Sequence, residues 1–173
     1  MPYLLRVPDK HFESEFAWCA PKTRNELTWF YRTNTMYLFA NAVHPYVEKL
    51  DKIPGGRVLD YGAGVGCNAI GMARRGLDVD FLEISRVQAD FLRFRAERKG
   101  MKNVREVPPY KNGTFDPVYC IDGEYDAVVA MDVLEHIPDY HVVLKHLISR
   151  VRPGGLLSRT PRSTRRRGTS PST

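Results

Sequence analysis

Cysteine, long apolar runs and evenly spread positive charge are all scarce in this chain of 173 residues. The three cysteines are an odd number and lie far apart without a CxxC pair, so neither a disulfide framework nor a metal site is expected. No apolar run approaches the roughly 18 residues of a membrane-spanning helix, and the amino terminus lacks the apolar stretch of a signal peptide. We therefore expect a cytoplasmic protein that does not enter membranes.

The net charge of +6 arises almost entirely from one end of the chain. Residues 158–173 contain five arginines and no acidic or apolar side chain, whereas residues 1–157 carry 21 basic and 20 acidic residues. A segment without apolar side chains cannot bury surface, so we predict a disordered tail over residues 158–173. A nucleic-acid partner is not expected, because the remainder of the chain is close to neutral.

Helical periodicity and dense aromatic residues are typical of residues 1–53. Thr23 and Glu26 have the spacing of a capping box, and apolar residues recur at helical intervals between Trp29 and Val43. Such aromatic residues more often belong to a core than to a binding site. We predict a helical cap, which could also serve as a lid over a site in the following residues.

Short apolar runs alternate with helical patterns between residues 54 and 157, which is typical of βαβ units and a parallel sheet. Glycines follow two of the predicted helices, as expected for C-terminal caps. The sequence therefore predicts one α/β domain between the cap and the tail. Its predicted strands are 57–61, 78–82, 104–107 and 125–131, and its predicted helices are 68–75, 85–98 and 139–151.

A glycine-rich turn follows the first predicted strand. Gly62, Gly64 and Gly66 come directly after Asp60 and before a helix, where a ligand can lie against bare backbone. The dinucleotide-binding pattern G-x-G-x-x-G would need glycine at the position of Cys67. The pattern found here, G-x-G-x-G after an acid, resembles motif I of the class I S-adenosylmethionine-dependent methyltransferases.

The resemblance covers the whole predicted α/β domain. It implies a Rossmann-like, mostly parallel sheet with helices on both faces. It also implies that the glycine loop holds the aminocarboxypropyl end of S-adenosylmethionine, through Asp60, Gly62, Ala63, Gly64 and Gly66. A tight turn without a ligand is the alternative for this loop.

Three further segments resemble the same family. Glu83 ends the second strand, where the family's acid accepts hydrogen bonds from the ribose hydroxyls, and Ile84 is expected to pack on the adenine ring. Met131 ends the fourth predicted strand and Asp132 begins the turn after it, a region that the family places near the methionine part and the acceptor. The segment Val151–Gly155 is similar to the K/R-P-G-G turn before the family's fifth strand.

One feature of the family is missing. An acid often follows the third strand and meets the adenine amine, whereas this chain has Val107–Tyr110 there, with Asp116 and Asp122 as candidate substitutes. Pro108-Pro109-Tyr110 also resembles part of the D/N-P-P-Y motif of amino methyltransferases. The polar first position of that motif is Val107, and the motif follows the wrong strand, so this interpretation is set aside.

The resemblance implies transfer of the sulfonium methyl group of S-adenosylmethionine to an O, N or C nucleophile of a small molecule. His136 is the candidate base for a hydroxyl acceptor, since an imidazole titrates near neutral pH, although a turn residue can instead satisfy the backbone. A non-catalytic or incomplete S-adenosylmethionine-binding unit is the alternative. A nucleic-acid methyltransferase is favoured only by the arginine-rich tail.

Leu156 and Leu157 begin a segment similar to a fifth strand, after which the composition changes abruptly. We expect a truncated or frame-shifted terminus, with the C-terminal strands missing or incomplete. The predicted strand 125–131 would then have at most two residues of partner on one side, which leaves an apolar edge of unpaired backbone groups. Self-association through that edge is therefore expected.

Overall fold

The computed structural model describes Leu50, Lys52, Ile53 and residues 55–160. The strands in this part of the chain are β1 (Arg57–Tyr61), β2 (Asp78–Leu82), β3 (Val104–Glu106), β4 (Tyr110–Lys111), β5 (Thr114–Phe115), β6 (Tyr125–Ala130) and β7 (Val151–Arg159). The helices are α1 (Cys67–Arg74), α2 (Arg86–Arg98) and α3 (Tyr140–Ser149), with a 3₁₀-helix at Leu134–His136.

Five of these strands form one sheet in the order β3-β2-β1-β6-β7, and all neighbouring pairs are parallel. The chain moves from β1 outward to β3 and then returns to the other side of β1 with β6. Buried parallel strands need apolar residues on both faces, which explains why β1 and β6 have such apolar sequences. The predicted fold class, a Rossmann-like α/β domain, is confirmed.

The helices cover both faces of the sheet. On one face, α1 and α2 pack against β1, β2 and β6 in a buried core that contains Val58, Ala69, Met72, Phe81, Leu92 and Val129. On the other face, α3 packs in a second core that contains Leu59, Leu82, Tyr125, Val128, Val143 and Leu147. Neighbouring residues of each strand therefore contribute to opposite cores, as the alternation of side chains along a strand requires.

Glycine and serine set the ends of the helices. Gly66 precedes α1 with φ +80°, and Gly76 follows α1 with φ +87°, conformations that favour glycine. Ser85 stands at the N-cap position of α2, as predicted, but its side chain does not form the capping hydrogen bond. The capping-box pattern therefore located the start of α2 without its expected contact.

A short hairpin lies in the segment between β3 and β6. β4 and β5 pair antiparallel, and the two residues between them, Asn112 and Gly113, both have positive φ. Asn-Gly is the sequence typical of such a turn, because both residues tolerate the left-handed conformation. The predicted fourth strand is consequently β6 and the predicted fifth strand is β7.

The expectation of an exposed edge on β6 was wrong. β7 runs from Val151 to Arg159 and pairs with β6 as far as Ala130, with a bulge between its pairs to Tyr125 and Ala127. The predicted tail therefore begins too early, because Ser158 and Arg159 belong to β7. Backbone pairing decides this point, since it does not require apolar side chains. Within the described residues, β7 is therefore the edge strand of the sheet, and β6 lies inside it.

A buried aspartate joins three strands near their amino ends. Asp80 on β2 accepts hydrogen bonds from Arg57 Nη2 at 2.6 Å, from Arg105 Nε at 3.0 Å and from the Tyr125 hydroxyl at 3.3 Å. Burial, followed by the charge of Asp80, raises the pKa of Tyr125 to about 12. The Arg57 guanidinium also lies over the Tyr125 ring, 4.9 Å from its centroid. Through these contacts Asp80 links its own strand, β2, to β1, β3 and β6.

The predicted cap over residues 1–53 lies outside the described residues, apart from Leu50, Lys52 and Ile53. Leu50 and Ile53 are buried in the core beside α1, and Arg75 donates hydrogen bonds to both of their backbone carbonyls. The part of the predicted tail beyond residue 160 also lies outside. Within the described ranges, no helix is both long and apolar enough to cross a bilayer.

Candidate functional site

The predicted site residues meet at the carboxyl edge of the sheet. β1 and β6 are neighbours, and the chain leaves them in opposite directions across the sheet. The loops that follow two such strands diverge and leave a crevice, which is where parallel α/β sheets bind ligands. The glycine loop follows β1 at this crevice, and Met131 and Asp132 follow β6.

The glycine loop is tied to the end of β2. The backbone N–H groups of Gly62 and Ala63 both donate to the carbonyl of Leu82, at 2.9 and 3.1 Å. Gly62, Gly64 and Gly66 have φ of +73°, +56° and +80°, so each adopts a conformation that other residues rarely take. The loop therefore has a defined shape that its three glycines make possible.

Two of the three glycines are also required by close packing. A Cβ on Gly62 would lie 2.5 Å from Val133 Cγ2, and a Cβ on Gly66 would overlap Leu92 of α2. A Cβ on Gly64 would meet only Gln88 Oε1, at 3.3 Å. Gly64 is therefore the glycine whose missing side chain leaves room beside the loop.

Two residues of α2 contact the glycine loop. Leu92 packs under Gly66, and Arg95 donates a hydrogen bond to the backbone carbonyl of Val65. The same guanidinium lies near Cys67, and it opposes the effect of burial, which raises the pKa of that thiol. Sequence reasoning missed Leu92 and Arg95, because their contacts to the loop depend on how α2 packs.

Glu83 connects the end of β2 to the glycine loop. One carboxylate oxygen accepts the N–H of Gly64 at 2.7 Å, and the other accepts the N–H of Ser85, also at 2.7 Å. Burial raises the pKa of Glu83, and these backbone hydrogen bonds act against that rise. The carboxylate is thus held in one orientation, and each oxygen keeps lone-pair capacity for a further donor.

Asp60 has the most unusual environment in the site. It is fully buried at the end of β1, and no donor among the described residues forms a hydrogen bond with either of its carboxylate oxygens. Burial raises its pKa from 3.8 to about 7, with a further contribution from the nearby charge of Glu83. The backbone N–H of Ala69 lies near enough to lower this pKa in part, although its geometry is not that of a hydrogen bond. Because buried acceptors are normally paired, Asp60 is suited to receive a donor from a ligand.

The turn after β6 brings two predicted residues to the same crevice. Met131 is buried and Asp132 is half-buried, with φ +50° at Asp132. The backbone N–H of Asp132 donates to the hydroxyl of Thr160 at 2.9 Å. Sequence reasoning missed Thr160 because it assigned that residue to the tail. A polar residue directly after a strand, at the edge that holds the site, is the signal that could have found it.

His136 and Ile84 are two further predicted site residues. His136 is exposed at the end of the 3₁₀-helix after β6, and its backbone N–H donates to the carbonyl of Val133 at 3.1 Å. Its role as a base stays a prediction. Ile84 is half-buried against the second core, together with Val107.

Neither candidate for the adenine contact has an unengaged carboxylate. Asp116 Oδ1 accepts the N–H groups of Val118 and Tyr119, at 3.2 and 2.8 Å, and Asp122 pairs with Lys111 at 2.9 Å. Both acids therefore stabilise the segment between β5 and β6. The described residues also contain no group of three or more His, Cys, Asp or Glu placed to hold a metal ion.

Comparison with known proteins gives consistent matches. A family model described as a methyltransferase domain matches residues 31–169. The ubiquinone biosynthesis O-methyltransferase of Acinetobacter baylyi is 32% identical over 123 residues, which cover 67% of this chain and 50% of that protein. The protein with the same description from Bordetella avium is 33% identical over 122 residues, with coverage of 67% and 48%. The chain thus spans about half the length of the curated relatives it matches.

Solved structures show the same architecture. Coclaurine N-methyltransferase bound to N-methylheliamine and SAH is 23% identical with a TM-score of 0.54, and the match covers 65% of this chain and 32% of that one. TehB from Haemophilus influenzae is 23% identical with a TM-score of 0.55, and the match covers 65% and 38% of the two chains. At such identity the likeness shows the fold alone.

Proposed function

Because the chain belongs to the methyltransferase domain family, we propose that it binds S-adenosylmethionine in the crevice between β1 and β6 and takes part in methyl transfer to a small molecule. Enzymes of one family and fold can act on many different acceptors, so the proposal depends on the chemistry of the site. That chemistry is a glycine loop flanked by two buried carboxylates.

The observation that carries the proposal is the state of Asp60. Its carboxylate is fully buried without a hydrogen-bonding donor in the described part of the chain, and it lies at the start of the glycine loop. S-adenosylmethionine carries an ammonium group at its methionine end, which is a charged donor that such a carboxylate can bind. The bare backbone at Gly64 leaves room for the adjoining chain of the cofactor.

Glu83 suits the ribose of the same cofactor. Its two oxygens are held by backbone N–H groups, so their remaining lone pairs have fixed directions. Two neighbouring hydroxyl groups can donate to one carboxylate in this arrangement. Asp60 and Glu83 would therefore bind the two ends of one extended molecule, with the glycine loop between them.

The bound cofactor would supply an activated methyl group on sulfur, so the protein needs mainly to align the acceptor and to exclude water. Alignment of reacting groups can remove about 7 to 11 kcal/mol of a barrier. Met131 and Asp132 would border the reacting end, since they follow β6 beside the glycine loop. His136 would accept the proton of a hydroxyl acceptor.

An oxygen acceptor is favoured by the relatives, because the Acinetobacter and Bordetella proteins are both described as O-methyltransferases. We extend the proposal to a small-molecule hydroxyl on that basis. The predicted cap of residues 1–53 would cover the cofactor and complete the acceptor pocket. Such a cover is needed because water must be kept from the reacting groups.

Calorimetry with S-adenosylhomocysteine, the demethylated product, tests the binding step without knowledge of the acceptor. We expect micromolar binding by the full chain and no binding of NAD. Gly64→Val should abolish binding because it fills the space beside the loop, whereas Gly76→Val is the matched control with the same left-handed strain and no nearby atoms. Glu83→Ala should weaken binding by roughly 1 to 3 kcal/mol, as expected when buried donors lose their acceptor.

The exposed Glu97 of α2 provides the control for the carboxylate, since Glu97→Ala should leave the affinity unchanged. Equal and negligible effects of Gly64→Val and Glu83→Ala would place the pocket elsewhere, and NAD binding would replace the proposed cofactor.

A cofactor-binding unit without turnover is the second candidate, because the glycine loop and the two buried carboxylates concern the cofactor, and the role of His136 toward an acceptor stays a prediction. Binding without any transfer of labelled methyl to a panel of phenolic acceptors would favour that candidate.

A further inference from the structure

Thr160 lies directly beyond β7 and contacts the turn that follows β6. The N–H of Asp132 donates a 2.9 Å hydrogen bond to Thr160 Oγ1, and that hydroxyl donates in turn to Asp132 Oδ1 at 3.0 Å. Met131 Sδ lies 3.7 Å from the same hydroxyl oxygen. One side chain therefore contacts the backbone and the side chain of Asp132 together with its preceding residue.

The conformation held by these contacts is an uncommon one. Asp132 has φ +50°, in the left-handed region that few residues other than glycine adopt, although aspartate tolerates it better than most. The next residue, Val133, packs closely on Gly62. The backbone angle at position 132 thus sets how the turn after β6 meets the glycine loop after β1.

We infer that Thr160 is a positioning residue for the methyl-transfer site, because its hydroxyl holds Asp132 in the left-handed conformation and so fixes the turn after β6, which meets the glycine loop through Val133. This inference rests on the proposed function. A methyl group moves only when donor and acceptor are aligned, so a turn that borders both needs one conformation. β6 and β7 are adjacent, which lets a residue beyond one strand brace the loop beyond the other.

The test compares two substitutions in the full chain. Thr160→Val keeps the size and branching of the side chain but removes the hydroxyl, whereas Thr160→Ser keeps the hydroxyl. We expect Thr160→Val to weaken the binding of S-adenosylhomocysteine about three- to tenfold, as for the loss of one hydrogen bond, and Thr160→Ser to stay within about twofold of the unsubstituted chain. Ser158→Ala, which removes a hydroxyl from β7 two residues earlier, is the matched control and should not change the affinity.

Two further measurements separate positioning from packing. Amide hydrogen exchange at Asp132 should accelerate in Thr160→Val and stay slow in Thr160→Ser, because the N–H of Asp132 donates to that hydroxyl. In an Asp132→Gly background, where the left-handed conformation has no steric cost, adding Thr160→Val should cause no further loss of affinity. Thr160→Ala is the substitute should valine prevent folding, and it should give the same loss of affinity.

The outcomes distinguish the inference from the proposed function. Failure of the unsubstituted chain to bind S-adenosylhomocysteine overturns the proposed function and this inference with it. Normal binding by both the unsubstituted chain and Thr160→Val overturns only the role of Thr160. Equal losses in Thr160→Val and Thr160→Ser also overturn it, since the hydroxyl would then be irrelevant.

Discussion

The buried carboxyl of Asp60 should make the stability of the ligand-free protein depend on pH. Its pKa rises from 3.8 to about 7 on folding, mainly through burial. Between these two values, the folded protein binds a proton that the unfolded chain has released, so stability increases as the pH falls. At higher pH the folded state must hold the charged carboxylate, and stability is lost as the pH rises through about 7.

The magnitude follows from the two pKa values. With 1.36 kcal/mol for each unit, the shift from 3.8 to about 7 predicts that Asp60 lowers the free energy of unfolding by about 2.5 kcal/mol between pH 5 and pH 8. Asp60→Asn removes this titration while keeping the shape of the side chain. Glu83, whose pKa burial also raises, is present in both proteins, so their difference reports the titration of Asp60 together with its coupling to Glu83.

The assay is urea unfolding of both proteins at several pH values from about 5 to about 8, with Asp90→Asn on the exposed surface of α2 as the control. The unsubstituted protein should lose stability relative to Asp60→Asn as the pH rises, and Asp90→Asn should not reproduce this change. A difference between the first two proteins that stays flat, or that grows in the opposite direction, would refute the argument from burial.

The same carboxylate should also make the binding of the ligand depend on pH. An ammonium group beside Asp60 stabilises its charged form, so saturating S-adenosylhomocysteine should flatten the pH dependence of stability. Affinity should rise between about pH 5.5 and pH 7.5, where the amino group of the ligand keeps its proton. Asp60→Asn should bind weakly over this whole range, as calorimetry would show.

The remaining predictions concern the support of the site. In urea unfolding, Gly66→Ala should lower the free energy of unfolding by about 1 to 3 kcal/mol, because the new methyl group overlaps Leu92. Gly76→Ala should cost less, because it introduces only the strain of the left-handed conformation. Asp80→Ala should cost about 1 to 3 kcal/mol of stability, since the hydrogen bonds that join three strands are lost, yet leave the affinity for S-adenosylhomocysteine unchanged in calorimetry. Deleting residues 1–40 should expose the cofactor, so the affinity for S-adenosylhomocysteine and the rate of methyl transfer should both fall. Unchanged values of both would mean that this segment does not cover the cofactor.

The central strands and the glycine loop could be predicted because their signals are local. The prediction for residues 78–82 coincides with β2, since a short apolar run between a glycine and the next helix allows few alternatives. Gly62, Gly64 and Gly66 all have positive φ, the conformation for which glycine is the natural choice. The prediction of the acid at the end of β2, Glu83, comes from the resemblance to the methyltransferase family.

What the sequence could not predict depends on distant partners. β7 continues through Ser158 and Arg159 because the backbone of β6 is available for pairing, a fact that local composition does not contain. The sequence shows Asp80 only as a polar residue in a strand, because its ion pairs with Arg57 and Arg105 depend on the pairing of β2 with β1 and β3. The contacts of Thr160 depend in the same way on the neighbouring positions of β6 and β7.

Asp60 and Glu83 show why the composition of a site does not determine its energetics. Both are buried acids at the ends of neighbouring strands, and burial raises the pKa of each. Glu83 is stabilised by the N–H groups of Gly64 and Ser85, so it shapes the glycine loop whether or not a ligand is bound. Asp60 has no such hydrogen bond in the described residues, so its charged form carries a cost that either protonation or a bound donor would offset. The same fold therefore contains one carboxylate whose hydrogen bonds shape the glycine loop and one without such bonds. If the proposed ligand binds at Asp60, this difference should couple its affinity to pH.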